Sequence, residues 1–333
     1  MKAPQFWGIV PPTPLATILR PFGAVYGWAA MQRMAQAGER AAAPVICVGN
    51  FVAGGAGKTP AAIAVARLLI EMGERVAFLS RGFGGTARGA PIRVDPLRHD
   101  AATVGDEPLL LARLAPTFVS RDRPAAAKAA IAAGASVLVL DDGLQNPSLV
   151  KDFSLALIDG GFGFGNGLCL PAGPLRAPLA AQARHVALVA VVDAGDGSLP
   201  PLPAALGKIP TIAARLEPDA ATAARFCGKD VFAFAGIGRP EKFFETLAKL
   251  GARPVVKRSF PDHYRYAPEE LEAMFGEARG ANLPLVTTEK DLVRLPAASA
   301  LDVAALPVSL KFDDAQRLAR LLAEALARRR AKP

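Results

Sequence analysis

The stretch Gly49-Asn50-Phe51-Val52-Ala53-Gly54-Gly55-Ala56-Gly57-Lys58-Thr59-Pro60 follows the apolar run Val45 to Val48 and precedes a helical pattern from Ala61 to Met72. Strand, glycine-rich loop and helix in that order turn several backbone N–H groups and a helix N-terminus toward one point. There a lysine reaches terminal phosphate oxygens and a threonine hydroxyl holds Mg²⁺. The pattern therefore predicts binding of a nucleoside triphosphate by Gly54, Gly55, Ala56, Gly57, Lys58, Thr59 and Pro60. The strict form of the motif has glycine five residues before Gly57, where this chain carries Val52; Gly54 and Gly55 supply the flexibility instead. The bland alternative is a tight turn with an incidental Lys-Thr pair. Pro60 fits both, because proline is tolerated in a first helical turn.

From Pro44 onward, short runs that are apolar throughout alternate with helical patterns: Val45 to Val48, Val76 to Ser80, Thr117 to Ser120, Val137 to Leu140, Phe153 to Ile158 and His185 to Val192. Such runs signal a parallel sheet covered on both faces. The expected fold is therefore α/β, a doubly wound, mostly parallel sheet of the P-loop NTPase type, with a second, smaller α/β domain. Asp193 to Gly228 is rich in Pro, Ala and Gly and reads as a linker or peripheral stretch. Beyond it come strand patterns at Val231 to Ile237, Val255 to Ser259 and Leu285 to Thr288, with helices at Glu241 to Leu250 and Pro268 to Arg279. A last helix, Asp313 to Arg329, buries Leu318, Leu321, Leu322 and Leu326, and its acidic start and basic end suit the helix dipole. The expected division is 1–43 as an N-terminal segment, 44–222 as the core and 223–333 as the smaller domain, with the last helix free to pack back on the core.

At 333 residues the chain has room for two domains, and no stretch approaches the ~18 uninterrupted apolar residues of a membrane span. A net charge of +9 suits a polyanionic partner. Nucleic acid is not the expected one, since there is no RNA-recognition signature and no zinc-type cysteine pair. Three scattered cysteines, Cys47, Cys169 and Cys227, fit a reducing, cytosolic setting. The proline-broken N-terminus is poor signal-peptide material. Both tryptophans, Trp7 and Trp28, cluster there with Phe6, Phe22 and Tyr26, near Arg20 and Arg33. That segment either lies in a bilayer interface or packs on the body of the protein.

Asp141 and Asp142 end the buried strand pattern Val137 to Leu140, at the edge where open α/β sheets bind ligands; they are the natural metal partners of Thr59. The alternative is an ordinary turn before Gly143. Asp106 and Glu107 precede Pro108 and an apolar helix, so Asp106 is either a helix cap or a carboxylate that accepts a hydroxyl proton or binds metal. His263, in Phe260-Pro261-Asp262-His263-Tyr264, is one of three histidines, and a lone loop histidine is more often structural than catalytic. Arg81, among glycines after a strand, and Arg176, delivered by the turn Pro171-Ala172-Gly173-Pro174-Leu175, are suited to phosphate contact or are ordinary loop residues.

The ordered set of segments resembles the tetraacyldisaccharide 4'-kinase family, the lipid A 4'-kinases of Gram-negative bacteria. It comprises Val48-Gly49-Asn50 with Gly54 to Pro60, Leu79 to Gly84, Val104 to Pro108, Asp141-Asp142-Gly143-Leu144-Gln145, Leu170 to Arg176, Phe234 to Gly238, Phe260 to His263 and Thr287 to Asp291. Gly85, Asn146 and Ala177 depart from the pattern, where Arg, His and an acidic residue are usual. The resemblance implies transfer of the γ-phosphoryl group of ATP to the 4'-hydroxyl of a tetraacylated glucosamine disaccharide 1-phosphate. It implies Asp106 and His263 as a coupled pair that removes the hydroxyl proton, with Lys58 on the phosphates. Mg²⁺ would be held by Thr59 with Asp141, Asp142 or Glu107. Arg81, Gln145 and Arg176 are the implied substrate contacts. The acceptor being a lipid, the N-terminus is expected at an anionic membrane surface, on the cytoplasmic face of the inner membrane. The competing classes are a nucleotide switch and a soluble small-molecule kinase. The chain lacks the Asn-Lys-x-Asp segment of GTPases, and Ala53 stands where partition-type ATPases carry an extra lysine.

Overall fold

Six consecutive residues of strand β1 (Val45–Asn50) are buried, as expected of a strand covered on both faces. Ile46 and Val48 face one apolar cluster and Val45 and Cys47 the other, the two-residue alternation of a pleated strand. The computed structural model describes residues 4–54, 57–193 and 202–331. In chain order the further strands are β2 (Val76–Ser80), β3 (Ile92–Arg93), β4 (Thr117–Val119), β5 (Val137–Asp141), β6 (Phe153–Asp159) and β7 (Leu188–Val192). They continue with β8 (Thr211–Pro218), β9 (Asp230–Ala235), β10 (Arg253–Ser259), β11 (Leu285–Thr288), β12 (Val303–Leu306) and β13 (Val308–Phe312).

Nine strands form one sheet in the order β13-β8-β7-β6-β1-β5-β2-β4-β3, parallel except at its two edges, where β13 and β3 run antiparallel to their neighbours. The remaining four form a parallel sheet, β10-β9-β11-β12. The fold is thus the expected doubly wound α/β architecture with a second, smaller α/β unit. On the large sheet, helix Lys58–Glu71 supplies Ala62, Val65 and Leu69 to one face. Helix Arg123–Ala132 supplies Ala126 and Ala130 to the other.

The stretch after Asp193 corrects the reading of a linker. Residues 194–201 lie outside the described part, but β8 is an integral strand of the large sheet, paired with β7 and β13. Only Ile212 and Ala214 of it are well buried, and alanine carries little strand signal, so composition pointed to a loop. Strands β12 and β13, also unanticipated, carry the chain from the small sheet back to the large one. Helix Ala315–Arg330 then lays Leu318, Leu322, Ala325 and Leu326 on the large sheet's core. The Asp314 carboxylate caps it by accepting from the Arg317 backbone N–H at 2.9 Å.

The N-terminal segment packs on the body of the protein through one face of a helix and leaves the opposite face exposed. Helix Pro14–Met34 buries Ala16, Gly23, Gly27, Ala30 and Met34, a stripe of mostly small residues. A side chain at Gly23 would stand 2.8 Å from the Cys169 carbonyl, so the close approach to the 169–178 loop requires glycine there. The other face leaves Leu15, Ile18, Phe22, Val25 and Trp28 exposed, and Trp7 is tied to the same loop through Nε1 donating to the Pro171 carbonyl at 3.0 Å. No helix among the described residues is long and apolar enough to cross a membrane.

Candidate active site

The loop after β1 ends at Gly57, whose φ of 75° is the left-handed conformation that glycine adopts without penalty and that starts helix Lys58–Glu71. Lys58 and Thr59 occupy the first turn and are both buried. Lys58 Nζ donates to the Gly54 carbonyl at 2.9 Å, which also accepts from Asn50 Nδ2 at 3.0 Å, so that one carbonyl ties the ammonium to the end of β1. Pro60, within the same turn, forfeits an N–H that has no intrahelical acceptor there. Gly55 and Ala56 lie outside the described residues.

β5, adjacent to β1, delivers the acidic pair beside this turn. Thr59 Oγ1 donates to Asp141 Oδ2 at 3.1 Å. Asp141 Oδ1 is buried with no hydrogen-bond partner. Burial, reinforced by the Glu107 and Asp142 charges, pushes the Asp141 carboxyl up to about 7. Asp142 behaves oppositely. Burial would raise its carboxyl, but Lys58, 3.8 Å away, and Arg176, with Nη1 at 2.6 Å, hold it at about 2. Its φ of 58° is left-handed for a residue with a side chain, a conformation costing on the order of 1 kcal/mol that clusters at functional sites.

The second group comes from two sheets. Asp106 opens helix Asp106–Ala112 of the large unit, and His263 lies in the loop after β10 of the small unit. His263 Nδ1 stands 3.2 Å from Asp106 Oδ2, and its backbone too is left-handed, with φ 57°. Burial alone would raise the Asp106 carboxyl; the bond to His263 and the charges of Arg294 and Lys290 hold it well below the usual carboxylate range. That same bond raises His263 above an ordinary histidine. Phe83, after β2, sets its ring edge-on to His263 with centroids 5.0 Å apart.

The two groups share one electrostatic field. Glu107 accepts from Lys290 Nζ at 2.8 Å, and both charges act on Asp141, while Lys290 also acts on Asp106. Burial would lower the Lys290 ammonium, yet Glu107 and Asp106 hold it above its ordinary value. Further ion pairs, Arg239 with Asp159 and Lys242 with Asp193, join the small unit to the ends of β6 and β7.

The remaining expected residues fall into different places. Gln145 is buried as an internal tie: Nε2 donates to the Asn50 carbonyl at 2.7 Å and to Gln182 Oε1 at 2.8 Å. Arg176 faces Asp142 and the Gln145 amide oxygen. Arg81 is exposed at the end of β2, and Glu107 is committed to Lys290. Reasoning from sequence assigned no part to Lys290 or Arg294, nor to Arg123, a buried arginine at a helix start whose charge reaches Asp141 and Asp142. Lys290 stood in a recognised segment. Arg123 beside Pro124 looked like any helix start.

The match to the tetraacyldisaccharide-1-P 4'-kinase family model runs over residues 15–327. The chain belongs to this family. A tetraacyldisaccharide 4'-kinase of Methylobacterium sp. (strain 4-46) is 57% identical over 335 residues, covering all of both chains. One of Bradyrhizobium diazoefficiens is 49% identical, covering 99% of this chain and 98% of its own. Among solved structures, LpxK from Aquifex aeolicus in complex with ATP superposes with a TM-score of 0.73 at 26% identity, covering 94% of this chain and 99% of that one. Family membership makes the chain a kinase and disfavours the nucleotide-switch alternative.

Proposed function

We propose that the chain transfers the γ-phosphoryl group of ATP to the 4'-hydroxyl of a tetraacylated glucosamine disaccharide 1-phosphate in lipid A biosynthesis, at the cytoplasmic face of the inner membrane. The observation that carries this reading is the His263–Asp106 pair formed across two sheets, linked through the Lys290–Glu107 ion pair to the field at Asp141, which accepts from Thr59 in the buried lysine turn. Residues 44–222 act as the kinase core and 223–333 as the smaller unit that brings His263, with β13 and the last helix returning to the core.

Asp106, held ionised, accepts a hydrogen bond from the Nδ1–H of His263 and so leaves Nε2 as the basic nitrogen. Nε2 then takes the 4'-hydroxyl proton as the oxygen attacks the γ-phosphorus and the bond from that phosphorus to the β,γ-bridging oxygen breaks, releasing ADP; Asp106 stabilises the imidazolium that forms. Lys58 and the N-terminal amides of its helix neutralise the β- and γ-phosphate oxygens. Thr59 Oγ1 and Asp141 would hold Mg²⁺, since a buried carboxylate oxygen without a partner beside a hydroxyl suits a hard cation. When bound, the ion adds charge neutralisation on the phosphates. Asp142, bound to Lys58 and Arg176, keeps both cations aimed at the site. Arg81 and Arg176 are the remaining phosphate contacts in this reading, and Gln145 supports Arg176.

The test is phosphate transfer from ATP to the purified disaccharide lipid, against ATP hydrolysis without it. The pH profile adds a signed expectation. His263 must be neutral to act, and its partner raises its pKa, so the acid limb of kcat/KM lies above pH 6.5, the ordinary value. Asp106→Asn removes that raising bond; the limb shifts to lower pH and the plateau drops. A limb that stays in place excludes His263 as the titrating base.

The exposed stripe on helix Pro14–Met34, with Ile18 69% and Phe22 64% accessible and Arg20 alongside, suits a helix lying in an anionic bilayer surface. Burying two such side chains is worth about 3–6 kcal/mol. Ile18→Glu with Phe22→Glu is therefore expected to lower partition into anionic phospholipid vesicles at least about 30-fold. Turnover on detergent-dispersed acceptor should stay within about threefold of wild type. Unchanged partition contradicts the membrane reading.

A further inference from the structure

Asp106 carries two partners on a single oxygen. Oδ2 accepts from His263 Nδ1 at 3.2 Å and from Arg294 Nε at 3.0 Å, with Arg294 Nη2 closing the fork on the same atom. The opposite edge of the guanidinium is fixed by the small unit. Arg294 Nη1 donates to the Gly236 carbonyl at 2.7 Å and to Asp291 Oδ1 at 3.0 Å. Asp291 is fully buried and immobilised by the Gly236 N–H at 2.9 Å, the Tyr266 hydroxyl at 2.8 Å and the Thr288 hydroxyl at 2.6 Å.

The Gly236 carbonyl does more than hold the arginine. It also accepts from the His263 backbone N–H at 3.2 Å. One carbonyl at the end of β9 thus fixes both groups that converge on Asp106 Oδ2. A side chain at position 236 would come within 2.9 Å of Asp291 Oδ1, so the junction admits only glycine without displacement. Arg294 has 5% of its side chain accessible, and its Nε, Nη1 and Nη2 are all engaged by protein groups. That leaves it no face for an acceptor or a phosphate, so any effect it has on the reaction passes through Asp106.

We propose that Arg294 is a positioning residue for phosphoryl transfer: by gripping Asp106 Oδ2 and the Gly236 carbonyl at once, it sets the catalytic carboxylate against His263 when the two units are in register. The inference rests on the reading of Asp106 and His263 as the proton-accepting pair. A planar fork bound on two edges holds a carboxylate in one orientation, which an ammonium cannot do. Small misplacements of a catalytic group cost up to ~10²-fold in rate.

The experiment compares kcat and KM for Arg294→Met and Arg294→Lys, each alone and combined with His263→Ala, with full-length protein, ATP and the disaccharide lipid. Arg294→Met is expected to lower kcat about 30- to 100-fold, and Arg294→Lys, which can bind one edge only, about 5- to 10-fold. KM for ATP should stay within about threefold, because the phosphate turn is built from other segments. In the His263→Ala background either change should add less than about threefold, the non-additivity expected of groups acting as one unit. Thermal melting of each variant reports folding, and should Arg294→Met fail to fold, the lysine variant carries the same comparison. Full multiplicative losses in the His263→Ala background, or wild-type kcat in Arg294→Met, overturn the proposal while leaving the pair intact. Undiminished activity of His263→Ala alone overturns the pair, and this inference with it.

Discussion

Lys58→Ala should lower kcat for phosphate transfer by about 10³-fold, close to 4 kcal/mol of transition-state stabilisation. The size follows from where the ammonium sits. It is buried in the first turn of helix Lys58–Glu71, bonded to the Gly54 carbonyl and 3.8 Å from Asp142. In so enclosed a place a charge aimed at the migrating phosphoryl group is worth far more than in water. The fold should survive the change. Asp142 keeps Arg176 at 2.6 Å, so the carboxylate is not left unpaired, and melting should shift only modestly. Lys58→Arg is a sharper comparison, since it keeps the charge but not the compact head; a loss approaching that of alanine would show that geometry matters beyond charge. Turnover within tenfold of wild type in Lys58→Ala would remove the lysine from the phosphate-binding role.

His263→Ala should lower kcat about 10²- to 10⁴-fold, the range of a positioned general base, with KM for ATP little changed. Asp106→Asn should fall in the same range, because an amide cannot hold the Nδ1 proton of His263 as an ionised carboxylate does. The double variant should be scarcely slower than the worse single one. Steady-state rates on the lipid acceptor at saturating ATP measure all three. Independent, multiplicative losses would mean that the two side chains serve different steps.

The large sheet was legible in the sequence because its central strands are short apolar runs: Val45 to Val48 and Val137 to Leu140 throughout, and Phe153 to Ile158 but for Ser154, as buried parallel strands are. β8 escaped notice because it nears the sheet edge and mixes two alanines with polar residues and a proline, leaving little hydrophobic contrast. β13 escaped because it belongs to a sheet left behind some ninety residues earlier. The phosphate turn was legible for a different reason: its chemistry is local, with Gly57, Lys58 and Thr59 adjacent in the chain.

The network around Asp106 is the opposite case. Arg294 is 188 residues from Asp106 and His263 is 157, so no local pattern links them. Only the docking of the small sheet's loops on helix Asp106–Ala112 makes them neighbours. The pairing of His263 with Asp106 was an expectation of family resemblance, not of residue pattern, and the arginine that shares the carboxylate was not anticipated at all. Gln145, a substrate contact only by family resemblance, has its Nε2 bonded to the Asn50 carbonyl and to Gln182 Oε1 inside the protein, ties that no local pattern announces.

In the proposed reaction the lysine turn and the histidine pair act on one acceptor alcohol. The most direct measurement follows labelled γ-phosphate from ATP into the tetraacyl disaccharide 1-phosphate with purified wild-type protein, locating the new phosphate on the sugar. Stoichiometric appearance of label at the 4' position, dependent on Lys58 and His263, is the predicted result. Release of the label only as inorganic phosphate, or its transfer at an equal rate in the His263→Ala protein, would rule this joint action out.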